Sequence, residues 1–532
     1  MKRNAVTSFG FLLVSVAVVA SLTSCASSGV TSRADGQSET NGFVGERSDG
    51  GEPAIGGTLS VAMPTNITSL DPADHQDGGA SGGTEMAAIY DLLMRYDTEL
   101  KEYRPQLAQS LDSNADNTVW TLNLREGAEF SDGTAVDAAA VQWSINRYLE
   151  KKGTHAGVWK ATVANIAISD ASTIVFTLQK PWSDFPRMLT TGPGMIVAPS
   201  SMSTGAFTPV GAGAYKVEKF APHNELVLAA NPNYWGGRPF LDKLRFPVIS
   251  GEQAKLDTLY SGGIQAAFLT DPQIVDKAMG SGLKGYAYTT NMGFVLLLNN
   301  RDGRPTSDER VRKAVAAAID PRVVYQRAFN GHGLPGGDMF QDWSQWHTNS
   351  VAAGYDPNRA KMLLAEAKDD GYDGKLTFLG EDGPSYERVT LAVQTLLENV
   401  GFTVDVVNST SNSDLARHVY VDRDYDVAFW GYNVLEGSPF VRLYSNLHSE
   451  SESNLLGYKS PEMDALLEDL QTASNDNDKK SVISSIQSLV NETAPMIPLS
   501  AVKSFIAWDS NVYGVEASAD GIMLFDKAWL AG

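Results

Sequence analysis

From Gly56 onward the chain alternates short stretches of period-two hydrophobicity with longer stretches of helical spacing. Thr58–Ala62 reads as a strand, and Glu85–Met94 then places Met86, Ile89, Tyr90 and Leu93 on one helical face. Trp120–Leu124 and Thr173–Leu178 are strand-like. Between them, about Asp137–Tyr148 predicts a helix whose inner face is Val141, Ile145 and Tyr148. In Thr208–Gly237, Gly211 and Gly213 free the backbone for a turn, Tyr215–Phe220 alternates, and Pro222–Asn224 turns it into a second strand, Glu225–Ala229. Asn231-Pro232-Asn233 stops that strand before Tyr234 and Trp235, and Glu252–Tyr260 is helix-like.

The second half has a different rhythm. Phe294–Asn299 is an apolar strand, and Glu309–Ile319 a helix with Val311, Val315 and Ile319 aligned. Gly331–Thr348 is rich in glycine and aromatics, with Met339, Phe340, Trp343, Trp346 and His347, and suits either a packed loop or a ligand wall. Asp356 caps a helix over Pro357–Ala367, and Tyr386–Asn399 is another; each is followed by a strand, Lys375–Leu379 and Phe402–Val407. A third strand, Tyr425–Tyr432, runs into Asn433 and an irregular stretch to Phe440. Helices Glu462–Thr472 and Lys479–Asn491 and a last strand, Phe505–Trp508, complete the chain. Such βα alternation predicts an α/β fold with a largely parallel sheet and ligands at the carboxyl ends of strands.

The first 55 residues do not share this patterning. Lys2 and Arg3 precede an apolar run from Phe9 to Ala20, shorter than the roughly 20 residues of a bilayer span and suited to an export signal. Leu22-Thr23-Ser24-Cys25 resembles a bacterial lipobox, so residues 1–24 are expected to be a lipoprotein signal peptide. Cys25, the only cysteine of 532 residues, is then the lipidated N-terminus. Stable anchoring takes more than one acyl chain. The remainder of 25–55 is rich in Ser, Gly, Asp and Glu and is expected to be a disordered tether with a reach of about 30 Å.

Composition narrows the function further. With 43% apolar and 20% charged residues the body reads as globular and long enough for two or three domains. A net charge of −21 argues against nucleic acid or anionic lipid heads as partners. The seven histidines are scattered, with no zinc-type Cys/His cluster and no Gly-Lys-Ser/Thr phosphate loop, so neither metal nor cofactor is expected. Gly79-Ala80-Ser81-Gly82-Gly83 fits the nucleophile-elbow pattern of hydrolases, which needs a buried strand before the serine. The preceding Ala73–Gly78 is too polar to be one.

Thr208–Gly237 resembles the signature of the family 5 extracellular solute-binding proteins, the receptors of peptide, nickel and related ABC importers. Ser69-Leu70-Asp71-Pro72, Tyr103–Ala108, Leu124–Gly127 with Phe130–Thr134, Val311–Ala314 with Ala318–Asp320, and Gly457–Asp464 echo the same family in the same order. The resemblance implies a periplasmic-binding-protein-like type II fold with two main lobes and a small extra domain. Lobe I is expected from 56–97, 207–291 and 503–532, small domain II from 98–206, and lobe III from 292–502, with hinges near Asn291 and Val502.

It also implies a lipid-anchored receptor on the extracytoplasmic face of the cell membrane that captures a small solute, a peptide or peptide-like compound, and delivers it to ABC importer permease subunits. The alternatives are a lipoprotein hydrolase using Ser81, a receptor for a non-peptide solute such as a glycoside, and a scaffold that keeps the fold and binds nothing. The resemblance places Gly78, Gly79, Ala80 and Ser81 on one edge of the ligand cleft and Phe429, Trp430, Gly431, Tyr432 and Asn433 on the other. Trp343 and Trp346 are further candidate contacts. Peptide-binding members carry an aspartate for the peptide ammonium where Asn433 stands here, with Glu436 as a possible substitute. A neutral amide suits hydroxyl, amide or blocked-amine groups better than a bare cation, so unmodified di- and tripeptides are expected to bind poorly.

Overall fold

The computed structural model describes residues 41–45 and 50–532, apart from 77, 204, 351, 353 and 382. The expected signal peptide, Cys25 and most of the expected tether lie outside these residues. Among the described residues, no helix is long and apolar enough to cross a membrane.

One large mixed sheet dominates. At its centre two long strands, Lys284–Leu298 and Met496–Trp508, pair antiparallel over nearly their whole length. On one side of this pair, Val427–Gly431 joins Lys284–Leu298 antiparallel and is followed by Lys375–Gly380 and Thr403–Asn408 in parallel. On the other side, Met496–Trp508 pairs with Ala266–Leu269, and beyond it come Thr58–Ala62, Lys243–Pro247, Glu225–Ala230 and Tyr215–Ala221. The sheet is therefore parallel only within its βα units. The central pair runs antiparallel because each long strand passes once between the two halves, in opposite directions.

A separate four-stranded antiparallel sheet is built from Ala108–Ser113, Val119–Leu124, Thr173–Leu178 and Val163–Ile168. Its inner face alternates as expected: Trp120, Leu122 and Leu124 are buried, and so are Ile174, Phe176 and Leu178. Helix Ala138–Glu150 carries the Asp137 cap and covers this core with Val141, Ile145 and Tyr148. Asp71 ties it to the large sheet, accepting hydrogen bonds from Arg147 at 3.0 Å and from Lys151 at 2.8 Å.

Two differences from the sequence expectation stand out. The segment expected to remain a free tether to Ile55 is partly structured, because Gly42–Val44 pairs with Gly285–Ala287 and Phe43 packs edge-on against Tyr286. One aromatic side chain supplies the apolar contact that the polar composition around it lacks. The stretch from Asn433 to Phe440 is irregular as expected, but it leads into a helix not expected from sequence, Phe440–Leu447, whose Phe440, Leu443, Tyr444 and Leu447 are buried.

Candidate functional site

The two long strands do not run straight. Their register shifts around Asn291–Gly293, where Met292 takes a left-handed conformation (φ 48°) and a side chain at Gly293 would meet Val502. The freed backbone groups of Asn291 bond instead to Val434, at 2.9 and 2.8 Å, and those of Met292 and Gly293 accept from Asn433 and Tyr432. This break draws the end of strand Val427–Gly431 across the central pair. Asn433 sits there, also left-handed (φ 56°), with its Oδ1 accepting from the Thr290 hydroxyl at 2.9 Å. Asparagine is one of the few residues that adopt this conformation at low cost.

Beside the break lies a cavity of about 980 Å³. Its walls include the loop Met63–Ile67, the turn around Gly78–Ser81, the start of helix Glu252–Tyr260, and residues on either side of the break, Thr290, Phe294, Trp430 and Asn433. A volume of this order accommodates a ligand of several hundred daltons.

The charges around it are unevenly committed. Arg187 is ion-paired with Asp520 and also donates to the Thr190 hydroxyl, while its Nε is sealed without a partner. Arg442, on helix Phe440–Leu447, lines the same cavity and forms no ion pair among the described residues. His155 lies close to both arginines. Burial, reinforced by the positive charges of Arg187 and Arg442, holds its proton affinity well below the usual histidine value, so the ring is neutral. Lys255 lines the wall as a buried side chain whose proton affinity burial also lowers, against a smaller opposing pull from Glu252. Glu85, on helix Gly83–Tyr90, is 2% exposed; burial raises its carboxyl to about 8, and Oε2 has no hydrogen-bond partner.

Of the residues expected from sequence, Gly78, Ala80, Ser81, Trp430, Gly431 and Asn433 line the cavity. Five do not. Gly79 is pressed against the Gly521 carbonyl, so close that a Cβ would overlap it. Phe429 faces the other side of its strand, stacked on Phe294 at 5.0 Å. Tyr432 is buried beneath the wall, its hydroxyl on the Arg442 carbonyl. Trp346 is buried and donates to the Glu436 carbonyl, and Trp343 donates to Gln341 in the same loop. Glu436 is committed to holding that loop. Its carboxylate accepts from Asn291, Ser344 and the Gln345 amide, so it is no substitute acid in the cavity. Gly331–Thr348 is thus a packed loop.

Glu85, His155, Arg187, Lys255 and Arg442 escaped sequence reasoning. They are single charged or polar residues in five separate segments, and no local pattern marks them as neighbours. Ser81 ends a 3₁₀ turn, Gly79–Ser81, with no strand before it. Among the described residues no histidine bonds to its hydroxyl, since His75 is directed to the Ser69 carbonyl. The elbow geometry that would activate it is missing.

The sequence profile of the bacterial extracellular solute-binding proteins, family 5 (middle region), matches residues 102–454. Among curated relatives, the chain is 26% identical over 478 residues to the periplasmic murein peptide-binding protein MppA of Escherichia coli K12, spanning 81% of this chain and 85% of that one. It is 24% identical over 490 residues to the glutathione-binding protein GsiB of Salmonella paratyphi A, spanning 88% and 93%. Among solved structures it resembles the oligopeptide-binding protein AppA of Bacillus subtilis in complex with a nonapeptide, with TM-score 0.78 and 21% identity over 90% of this chain and all of that one. The fold is that of the type II periplasmic binding proteins.

Proposed function

The chain belongs to the family 5 bacterial extracellular solute-binding proteins, and on that premise we propose that it captures a peptide or peptide-like solute in the cavity beside Asn433 and delivers it to an ABC importer. Proteins of this family are binding receptors and not enzymes. The observation that carries the reading is the cavity itself, large enough for a short peptide and walled by strand-end and loop residues from both halves of the sheet. The peptide and glutathione specificities of MppA and GsiB support a solute of peptide character.

Residues 56–97, 207–291 and 503–532 act as one lobe, 292–502 as the other, and 98–206 as a small domain attached to the first. The break at Asn291–Gly293, beside Val502, is the hinge. In the present structure the small domain touches the 292–502 segment through Trp182 on Phe440, with ring centroids 5.2 Å apart, and through Lys479 on Asp184 at 2.8 Å. Closure is favoured by a ligand that both sides contact only in the closed form. An anionic group of the solute, such as a carboxylate, meets Arg442, with neutral His155 as a further hydrogen-bonding group.

Lipidation at Cys25 tethers the folded body to the outer face of the membrane, close to its permease. Palmitate labelling, lost in Cys25→Ser, tests the anchor. Isothermal calorimetry with short peptides tests the receptor, and Arg442→Ala should weaken binding at least tenfold.

A further inference from the structure

Most acidic groups around the cavity are engaged. Asp520 pairs with Arg187; Glu225 pairs with Lys219 and Arg245; Glu252 accepts from the Thr270 hydroxyl and from the Thr270 and Asp271 amides. Glu85 differs. It lines the cavity from the first turn of helix Gly83–Tyr90, is almost completely buried, and among the described residues has neither an ion-pair partner nor a hydrogen bond to Oε2. A lone buried carboxyl lowers the stability of a fold, and a glutamine or leucine there would be less costly. We propose that Glu85 receives a cationic group of the solute, an ammonium or a guanidinium. This assignment rests on the receptor reading above and gives the solute a second charged end, opposite in sign to the one that meets Arg442.

The surroundings of Glu85 leave this role open. Of the elements packed against its helix, strand Tyr215–Ala221 carries Tyr215, whose hydroxyl bonds to the Phe525 carbonyl, and Lys216, Glu218 and Lys219, all exposed. The segment Ala519–Leu524 contributes Asp520, held by Arg187. The turn Gly79–Ser81 contributes no ionisable side chain, and on the helix itself Tyr90 donates to the Leu70 carbonyl. His155, Arg187 and Arg442 line the same cavity. None of these charges contributes to the state of the Glu85 carboxyl, which burial displaces upward against a smaller opposing pull from its own backbone amide.

The chemistry of capture follows. At neutral pH the carboxyl holds its proton. When an alkylammonium enters, the carboxyl O–H breaks, the proton passes to solvent, and the carboxylate accepts hydrogen bonds from the ammonium, which keeps all its own protons. Binding of a cationic solute thus releases one proton per site. It strengthens about tenfold per pH unit while Glu85 stays protonated in the free protein and the amine stays charged. The neutral amide of Asn433 therefore does not exclude free peptides, because the missing acid stands on another wall.

Calorimetry with tri-alanine and N-acetyl-tri-alanine, at pH 5.5, 6.5 and 7.5 in two buffers of different ionisation enthalpy, tests this. The wild-type protein should bind tri-alanine with release of close to one proton at pH 6.5, an affinity rising about tenfold per unit, and at least tenfold preference over the acetylated peptide. Glu85→Gln, nearly isosteric, should abolish the release and the pH dependence and bind tri-alanine at least tenfold more weakly. Glu85→Asp should retain the release. Proton release unchanged in Glu85→Gln, equal binding of the two peptides, or no binding of tri-alanine would overturn the assignment. In the last case the receptor reading is judged separately, by whether a solute copurifies with the protein.

Discussion

The Thr290 hydroxyl donates a 2.9 Å hydrogen bond to Oδ1 of Asn433, joining one of the long central strands to the end of the strand that walls the cavity. With Oδ1 engaged in this way, the remaining polar group of the Asn433 amide is Nδ2, which at the proposed site would meet a ligand as a donor. Asn433→Asp keeps the Thr290 bond and tolerates the left-handed backbone, so it should fold normally and present a carboxylate oxygen in place of Nδ2. Calorimetry should show no gain in affinity for tri-alanine, whose one ammonium is taken by Glu85 on another wall, and a gain of about tenfold would instead place the ammonium at position 433.

Asn433→Ala should behave differently. It loses the Thr290 bond and forces an alanine into φ near 56°, for a combined destabilisation of about 2 kcal/mol. A urea denaturation series should show a lower midpoint with an unchanged slope. An unchanged midpoint would mean that the break at the hinge does not depend on this side chain.

Glu85 should leave a signature in the ligand-free protein. Its folded value of about 8 lies above the unfolded value near 4.3, so the folded state holds a proton that the unfolded state has released. The stability this group contributes is greatest below pH 4.3 and falls by about 1.4 kcal/mol per pH unit until pH 8. Between pH 5 and 8, the melting temperature of wild type should therefore drop relative to that of Glu85→Gln, and parallel curves would refute the burial of an uncompensated carboxyl.

Asp71 has the opposite sign. Burial pushes its carboxyl up, but hydrogen bonds from Arg147 and Lys151, with the Ala73 amide, outweigh this and hold it below the ordinary value. Its contribution is present above pH 4 and is lost as pH falls through the depressed value. Asp71→Asn leaves Arg147 without its buried partner and should cost about 3 kcal/mol at pH 7, with a smaller difference at pH 3, read from urea midpoints.

Much of this was legible in the sequence where the pattern is local. Thr58–Ala62, Thr173–Leu178 and helix Glu252–Tyr260 have the bounds that the local pattern predicts, since each is set by the residues of its own short segment. The long strands were read only at their apolar ends, Phe294–Asn299 and Phe505–Trp508. Thr289, Thr290 and Asn291, with Ser500, Lys503 and Ser504, interrupt the apolar run, and the two strands are held by each other across 200 residues of chain. Helix Phe440–Leu447 was hidden behind Gly437 and Pro439. The cavity's glycine turn and the Trp430–Asn433 edge could be placed by family likeness. Arg187, Arg442 and Glu85 could not, since their roles come from burial and from missing partners.

Closure can be probed through Asp184 and Lys479. Burial raises the Asp184 carboxyl against the pull of Lys479, so the pair depends on both members. If the proposed lobes close around a solute with this pair in contact, Lys479→Met should weaken solute binding several-fold and increase the radius of gyration in solution scattering. Exchange of the two charges, Asp184→Lys with Lys479→Asp, should restore most of both.

The most direct measurement is native mass spectrometry of the protein purified gently, without refolding, from cells grown in rich medium. One small molecule per chain is expected, of a mass that fits a cavity of about 980 Å³, released on denaturation and lost in a Trp430→Ala, Arg442→Ala variant that still folds. A protein that carries no adduct, and whose melting temperature no fraction of spent medium raises, would contradict capture of a solute at this site.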